Sequence, residues 1–327
     1  MRIDKEAVKN ILVLRNDRFG EFLLNIPALC ALKETFRNAR LTVVVDPCVK
    51  ELAERVAYID EIIEWGRSRH PLSEKIRLIS VLREKKVDIA VMLNPDRDFN
   101  IIAYIAGIPV RVGYNRKWGF LLTHKKEDRK YLGERHEVEY NLEMVSSVSA
   151  HAEDRSISLS IRENDIKDIT DLLSLKEGDK MVAVHPWTSD DLKQWPAGNF
   201  RELSEGLSGV PGIKVVIVGG KEEAKKSAEL FRGMDNRIVD LTGKTTLIQL
   251  AALLKKCELI ISGDSGPVHL ACAVGIRAIV IFRNDIPGKG PKRWGPWGNG
   301  NIVIEKNNLA GISATEVLNK AKEALIN

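Results

Sequence analysis

The sequence predicts an α/β protein made of two doubly wound halves, each a parallel sheet with helices packed on it. Short apolar runs of strand length alternate with longer stretches of helical spacing along most of the chain. The alternation pauses between Ser156 and Asp179 and then restarts. At 327 residues the chain is long enough for two such domains.

Composition and charge place the chain among ordinary soluble globular proteins. Hydrophobic residues make up 44% and charged residues 29%, and the formal net charge is +5. A scattered charge of this size does not indicate nucleic-acid binding, although it permits contact with an anionic membrane surface or substrate. The four cysteines show no CxxC spacing, which indicates core thiols in a reducing compartment. The polar first ten residues and the lack of an apolar run of roughly 20 residues predict a cytoplasmic protein.

The first half opens with a βα unit. Residues 10–15 (NILVLR) form an apolar strand, and apolar residues at helical spacing predict a helix over residues 22–36. The turn between them lacks the GxGxxG of a dinucleotide site, which argues against a nicotinamide-dependent dehydrogenase. Further strands are predicted at residues 41–45, 62–63, 88–93 and 109–112, and helices at residues 73–86, 99–106 and 136–148.

A basic, aromatic loop follows the strand at residues 109–112. It contains Arg111, Gly113, Tyr114, Arg116 and Lys117. Two interpretations of this loop stay open, a solvated surface and a binding role.

The second half begins after a change in the character of the chain. Residues 156–179 contain a short polar strand, a helix over residues 163–173 and then LKEGDK, which has no apolar pattern. We therefore predict a first domain of residues 1–165 and a second domain of residues 178–312. Strands are predicted at MVAVHP, IKVVIVGG and residues 278–282, and helices at residues 196–207, 222–231, 247–256 and 314–326.

The second half is organised around residues 257–275, CELIISGDSGPVHLACAVG. This stretch predicts a buried strand, a glycine turn and a helix that begins at Pro267. Open α/β sheets bind anionic ligands at such a junction, because unpaired amides and the helix dipole both favour phosphate. A merely structural connection explains the turn alone equally well. GDSG also surrounds the nucleophile of trypsin-like proteases, but those proteins are β-barrels and this segment lies in a βα pattern.

Three stretches of the second half are expected to converge at the carboxyl ends of its strands. They are HPWTS with Lys193, GGKE at residues 219–222, and the DSG turn at residues 264–266. Hydroxyls, a lysine, helix amides and a carboxylate are the groups that a nucleotide diphosphate requires.

Two look-alike motifs are set aside. TGKT at residues 242–245 lacks the earlier glycine of a P-loop, and we expect it to open a helix rather than to follow an apolar strand. Asp96-Arg97-Asp98 resembles a DxD metal site, yet it lies in the other half from the presumed diphosphate. We therefore expect no metal and no other cofactor.

Over nearly its whole length the chain resembles glycosyltransferase family nine, the ADP-heptose:lipopolysaccharide heptosyltransferases, and four segments carry the resemblance. ILVLRNDRFGEFLLNIPALCALKETF is similar to the family's opening strand, turn and helix, and RVGYNRKWGFLLTHK to its mid-domain segment. DLTGKTTLIQLAALLKKCELIISGDSGPVHLACAVGIRAIVIF is similar to the signature block, and RWGPWG to the tail motif. The resemblance implies the GT-B fold, in which two Rossmann-like domains face each other across a cleft. It also implies that the closing helix crosses back, so that residues 313–327 pack on the first domain.

The resemblance also implies an activity. It implies an inverting glycosyltransferase that moves heptose from ADP-heptose to an acceptor sugar of the lipopolysaccharide inner core, at the cytoplasmic face of the inner membrane. The implied partners are a nucleotide sugar, a lipid-linked saccharide acceptor and the membrane surface, with no nucleic acid. The alternatives are a GT-B enzyme with another donor or acceptor, and a non-catalytic nucleotide-sugar-binding protein of this fold.

The functional positions of the family fall on nine residues of this sequence. Glu21 falls on the catalytic carboxylate, where most members have Asp, and Lys193 falls on a lysine that contacts the diphosphate. The remaining positions are the phosphate-binding hydroxyls of Thr188 and Ser189, the ribose-binding Glu222, Asp264 beside the donor sugar, and Ser265, Gly266 and His269 of the diphosphate cradle.

Overall fold

The structure, a computed structural model, describes residues 3–173 and 180–326. The chain divides into two compact units, Met1–Ile157 and Ser158–Asn327. Each unit contains one six-stranded sheet whose neighbouring strands all run parallel. Parallel neighbours require crossover connections, and helices supply most of them here. The predicted α/β class with two doubly wound halves is confirmed.

The first unit has the strand order β3-β2-β1-β4-β5-β6. Its elements are β1 (Asn10–Leu14), α1 (Phe19–Leu23), α2 (Ile26–Thr35), β2 (Arg40–Val45), α3 (Lys50–Ala53), β3 (Glu61–Glu64), α4 (Leu72–Glu84), β4 (Ile89–Met92), α5 (Arg97–Ile105), β5 (Val110–Tyr114), β6 (His124–Lys126) and α6 (Glu137–Ser146). The chain builds the sheet outward from β1 in one direction and from β4 in the other. The loops after β1 and β4 therefore diverge, and open α/β sheets bind ligands at such a crevice.

The second unit repeats this plan with the order β12-β11-β10-β7-β8-β9. Its elements are α7 (Glu163–Leu173), β7 (Lys180–His185), α8 (Ala197–Ser208), β8 (Ile213–Ile217), α9 (Ala224–Leu230), β9 (Ile238–Asp240), α10 (Leu247–Lys255), β10 (Cys257–Gly263), α11 (Gly266–Ala273), β11 (Arg277–Arg283), α12 (Pro291–Trp294), β12 (Ile302–Lys306) and α13 (Ala314–Ile326). Here the topological switch point lies between β7 and β10. The central strands β7 and β10 are buried along almost their whole length, which explains their near-continuous apolar sequences.

The predicted helix over residues 22–36 is in fact two helices, α1 and α2. Pro27 lies at the start of α2 and lacks the N–H that would continue a helix from α1. Asn25 lies at the break, and its side-chain amide donates to the Glu21 carbonyl at 3.0 Å. Helix α1 also starts at Phe19, inside the predicted turn, so that Glu21 belongs to a helical first turn.

The predicted polar strand near residue 158 is absent from the described part of the chain. Ile157 and Leu159 are buried, so the alternation indicates burial correctly, but the backbone joins no sheet and Leu159 N donates to Ala273 O at 2.9 Å. Three strands that the sequence analysis missed, β6, β9 and β12, are all edge strands. Edge strands are short and partly solvated, which weakens their apolar pattern. One of the expected core thiols, Cys48, is exposed.

The closing helix α13 belongs to the second unit, where it packs on α8 and β11. A Cβ atom at Gly206 of α8 would lie 2.5 Å from Leu318 Cδ2, so this glycine is required for the close approach of the two helices. The expected packing of residues 313–327 on the first domain stays a prediction. The proposed linker LKEGDK lies outside the described residues except for Lys180. None of the helices in the described ranges is long and apolar enough to cross a membrane.

Candidate functional site

The second unit brings Lys193 and Asp264 together at its topological switch point. Lys193 follows β7 and Asp264 follows β10, and these two strands are paired neighbours. The Lys193 Nζ lies 2.5 Å from Asp264 Oδ2, with side chains 21% and 10% exposed. Burial raises the pKa of the Asp264 carboxyl, and the Lys193 ammonium opposes that rise. The sequence analysis named both residues without predicting their ion pair.

Helix α11 begins beside this ion pair. Ser265 is its N-cap residue, but the Ser265 hydroxyl makes no capping bond to the first turn. It lies instead 2.8 Å from Ser262 Oγ and 3.2 Å from His185 Nδ1. The first turn of α11 therefore has no side-chain cap, and the Gly266 amide at its start is of the kind that binds anions at helix N-termini. His269, one turn further, is buried.

His185 is the buried centre of this hydroxyl cluster. Its Nδ1 lies 3.0 Å from Ser262 Oγ, and the Ser262 hydroxyl donates to the His185 carbonyl at 3.1 Å. Burial lowers the pKa of His185 to about 4, because desolvation disfavours the imidazolium. The ring is therefore neutral at physiological pH and acts as a structural support beneath the α11 turn.

We expect this buried histidine to make stability pH-dependent. Its pKa is about 4 in the folded chain against 6.5 for the free side chain, so the unfolded chain binds more protons between these values. The stabilisation is complete above pH 6.5 and is lost as the pH falls towards 4, amounting to about 2 kcal/mol between pH 6.5 and 5. Denaturant unfolding of the native protein and of His185→Gln at several pH values measures this term. If His185→Gln lost stability equally steeply as the pH falls, this expectation would be contradicted.

The loop after β7 is fixed by its own polar side chains. The Thr188 hydroxyl donates to Asp190 O at 3.0 Å, and Gln194 Nε2 donates to Pro186 O at 2.7 Å. The buried Trp195 anchors the end of the loop by donating from Nε1 to Ile312 O at 2.9 Å. Ser189, at the tip, is exposed. The two predicted phosphate-binding hydroxyls thus occupy a loop of defined shape beside Lys193.

Two cations that the sequence analysis missed lie against this loop. Lys289 Nζ lies 3.0 Å from Asp190 Oδ2, and Arg283 Nη1 donates to Leu192 O at 3.4 Å. Arg283 ends β11, the neighbour of β10, and Lys289 follows that strand, so the parallel sheet places them at the same edge as Lys193. The sequence signal that could have identified them is the cluster of basic residues in RNDIPGKGPKR after a predicted strand.

The turn after β8 forms the other side of the site. A Cβ at Gly219 would lie 2.6 Å from Trp187 Cδ1, so only glycine permits the indole to pack there. The TGKT segment, set aside as a P-loop, lies alongside, with Gly243 N donating to Gly219 O at 2.9 Å. It follows the short, partly exposed edge strand β9, which the sequence analysis did not predict, and it precedes α10, as expected. Glu222 is exposed in this turn, while the Glu223 carboxylate lies back over Gly220.

In the first unit, Glu21 lies near a buried network of charges after β1. Arg15, 3% exposed, places Nε 2.7 Å from Asp17 Oδ2 and Nη1 3.4 Å from Glu137 Oε1. Lys130 Nζ lies 2.6 Å from the same Glu137 oxygen. Burial raises the pKa of the Glu21 carboxyl and the Asp17 carboxylate adds to the rise, whereas the Glu21 amide and Arg15 oppose it. A carboxylate with a raised pKa suits general base chemistry near neutral pH.

The Asp96/Asp98 pair has structural roles. The Asp96 side chain caps α5 by accepting from Phe99 N at 2.9 Å. The Asp98 carboxylate lies 2.5 Å from Lys75 Nζ. Both carboxylates therefore stabilise the fold around α5, and in the described ranges no three His, Cys, Asp or Glu side chains are grouped as metal ligands are.

The chain is similar to known proteins along most of its length. A Haemophilus influenzae protein named only provisionally as a glycosyltransferase is 26% identical over 300 residues, which cover 88% of this chain and 86% of that protein. Lipooligosaccharide heptosyltransferase 2 of Campylobacter jejuni is 25% identical over 302 residues, covering 89% of this chain and 85% of that protein.

Solved structures show the same fold. The E. coli ADP-heptose lipopolysaccharide heptosyltransferase II matches with a TM-score of 0.83 and 21% identity, covering 97% of this chain and 98% of that one. The predicted fold class is thereby confirmed a second time. The model of glycosyltransferase family 9 (heptosyltransferase) matches residues 75–322, and with this match over most of the chain the protein belongs to that family of transferase enzymes.

Proposed function

We propose that the protein transfers heptose from ADP-heptose to an acceptor sugar of the lipopolysaccharide inner core, with inversion at the anomeric carbon. The observation that carries the proposal is the Lys193–Asp264 ion pair beside the uncapped start of α11. A cation, the Gly266 amide and hydroxyls at a switch point suit the diphosphate of a nucleotide sugar. The lipopolysaccharide and lipooligosaccharide heptosyltransferases among its relatives support the choice of sugar and acceptor.

The donor is proposed to bind to the second unit. Lys193 contacts the diphosphate, the hydroxyls of Thr188 and Ser189 bind its oxygens, and Ser265, Gly266 and His269 form the cradle at the start of α11. Asp264 lies beside the donor sugar, and Glu222 binds the ribose hydroxyls. Its exposed position leaves the Glu222 carboxylate accessible for that contact.

The proposed reaction moves one proton and one sugar. The acceptor hydroxyl oxygen attacks the anomeric carbon from the face opposite ADP, and Glu21 takes the hydroxyl proton. The bond from that carbon to the diphosphate breaks, and ADP leaves with the bonding electrons. Lys193 and the α11 amides stabilise the charge that develops on the departing diphosphate.

A panel of nucleotide sugars tests the donor assignment. We expect ADP-heptose to raise the melting temperature more than other ADP- and UDP-sugars and to release ADP when an inner-core acceptor is present. If the protein turned over a different nucleotide sugar and not ADP-heptose, that other sugar would be assigned as the donor. Saturable binding with no release of nucleotide for any acceptor would indicate a binding protein instead of a transferase.

We expect transfer to be independent of metal ions. Lys193 and the α11 amides supply positive charge where a metal-dependent enzyme would use Mg²⁺. Activity measured after thorough EDTA treatment and buffer exchange should equal that of the untreated enzyme. If EDTA abolished transfer and Mg²⁺ or Mn²⁺ restored it, Asp264 would have to be reconsidered as a ligand.

A further inference from the structure

The loop after β5 exposes two aromatic side chains to solvent. Trp118 is 51% exposed and Phe120 67%, and their ring centroids lie 5.7 Å apart. Large aromatic side chains are normally buried, so an exposed adjacent pair requires an explanation. We name residues 115–120 the aromatic loop.

The aromatic loop is held in an unfavourable backbone conformation. Lys117 and Trp118 have φ values of 46° and 70°, in the left-handed region that non-glycine residues seldom adopt. The buried Asn100 of α5 donates from Nδ2 to Lys117 O at 2.9 Å, and a Cβ at Gly119 would lie 2.8 Å from Tyr114 O. The fold therefore fixes the loop from beneath while leaving both rings outside. Strain of this kind is concentrated at functional surfaces.

The chain segment that carries the two rings is basic. Residues 111–126, RVGYNRKWGFLLTHKK, contain five lysines and arginines and no acidic residue. Lys117 and Lys125 are exposed, and neither pairs with a carboxylate of the described chain. Arg116 does pair with a carboxylate, at 2.6 Å from Asp128, which ties the aromatic loop to the loop after β6. The segment therefore combines two exposed aromatic rings with two exposed lysines that have no carboxylate partner in the described chain.

We propose that the aromatic loop is the surface by which this protein docks on an anionic lipid bilayer. Tryptophan lies at the headgroup level of membranes, phenylalanine enters the acyl boundary, and lysines are attracted to anionic headgroups. The loop follows β5 and Glu21 follows β1, so both lie at the carboxyl edge of the first sheet. Docking there places that edge at the membrane surface. The inference holds whichever donor sugar the enzyme uses, since it concerns lipid alone.

Vesicle sedimentation tests the proposal with the full-length protein. We expect binding to vesicles of phosphatidylglycerol and phosphatidylethanolamine, weak binding to phosphatidylcholine vesicles, and weaker binding at high salt. Trp118→Ala/Phe120→Ala should lower the partition coefficient about tenfold or more. Trp118→Phe keeps an apolar ring, so it should retain most of the binding but lose part of the tryptophan quenching by brominated lipids.

Matched controls separate the loop from general surface effects. Leu72→Ala/Ile76→Ala removes two exposed apolar side chains from α4 of the same unit, and Lys255→Gln/Lys256→Gln removes two exposed lysines from the end of α10. We expect both to bind like the native protein, whereas Lys117→Gln/Lys125→Gln should bind less. Equal binding by the Trp118/Phe120 double variant and the native protein would overturn the proposal. The proposal would also be overturned if the Trp118/Phe120 double variant kept its vesicle binding and lost only nucleic-acid binding or self-association.

Discussion

Glu21→Gln is expected to lower turnover by about 10²-fold or more, as the loss of a general base does. The dissociation constant for the donor should stay nearly unchanged, because Glu21 belongs to the first unit and the proposed donor contacts all belong to the second. The glutamine keeps the size of the side chain, so packing around α1 is preserved. Single-turnover transfer and calorimetric donor titration measure the two quantities.

The pH profile of Glu21 gives an independent readout. Only the carboxylate accepts a proton, so the rate falls as pH decreases through the Glu21 pKa, which burial raises above its ordinary value. That fall should therefore begin at a higher pH than for an ordinary glutamate, and it should be missing from the residual activity of Glu21→Gln. Glu51→Gln, which changes an exposed glutamate on α3, is the matched control. Near-normal turnover in Glu21→Gln would remove Glu21 from the mechanism.

Lys193→Ala is expected to weaken ADP binding and to slow transfer together. A charge-assisted contact with phosphate contributes about 1.5–3 kcal/mol, so the dissociation constant for ADP should rise roughly 10- to 150-fold. The variant should also be less stable by about 1–3 kcal/mol, because Asp264 loses the cation that offsets its burial. Calorimetry with ADP and denaturant unfolding at neutral pH separate the two effects.

A double variant distinguishes the roles of Lys193. Lys193→Ala/Asp264→Asn removes the carboxylate that Lys193→Ala leaves unpaired, so it should recover stability but not ADP affinity. Lys225→Ala, on α9, serves as an exposed-lysine control. Unchanged ADP affinity in Lys193→Ala would show that the lysine serves only to stabilise Asp264.

Local patterns were sufficient for most elements and insufficient at particular places. The strand, turn and helix of residues 257–275 were predicted because an apolar run, two glycines and Pro267 are short-range signals. The break between α1 and α2 had a signal in Pro27, which the helical spacing around it concealed. The edge strand β6, His124–Lys126, had no signal in its own sequence. Its three polar residues adopt a strand only because β5 offers them backbone partners.

The sequence by itself determined the fold class, the order of the elements and the stretches that carry the candidate site, because hydrophobic periodicity and turn chemistry are local properties. Only the tertiary structure decided which side chains meet. His185 and Ser262 are 77 residues apart, Asp190 and Lys289 are 99 apart, and Arg15 and Glu137 are 122 apart. The first two pairs come together because β7, β10 and β11 are neighbours in one sheet, and the third because α6, which begins at Glu137, packs on α2 and β5 of the first unit. No short window of sequence records which elements become neighbours.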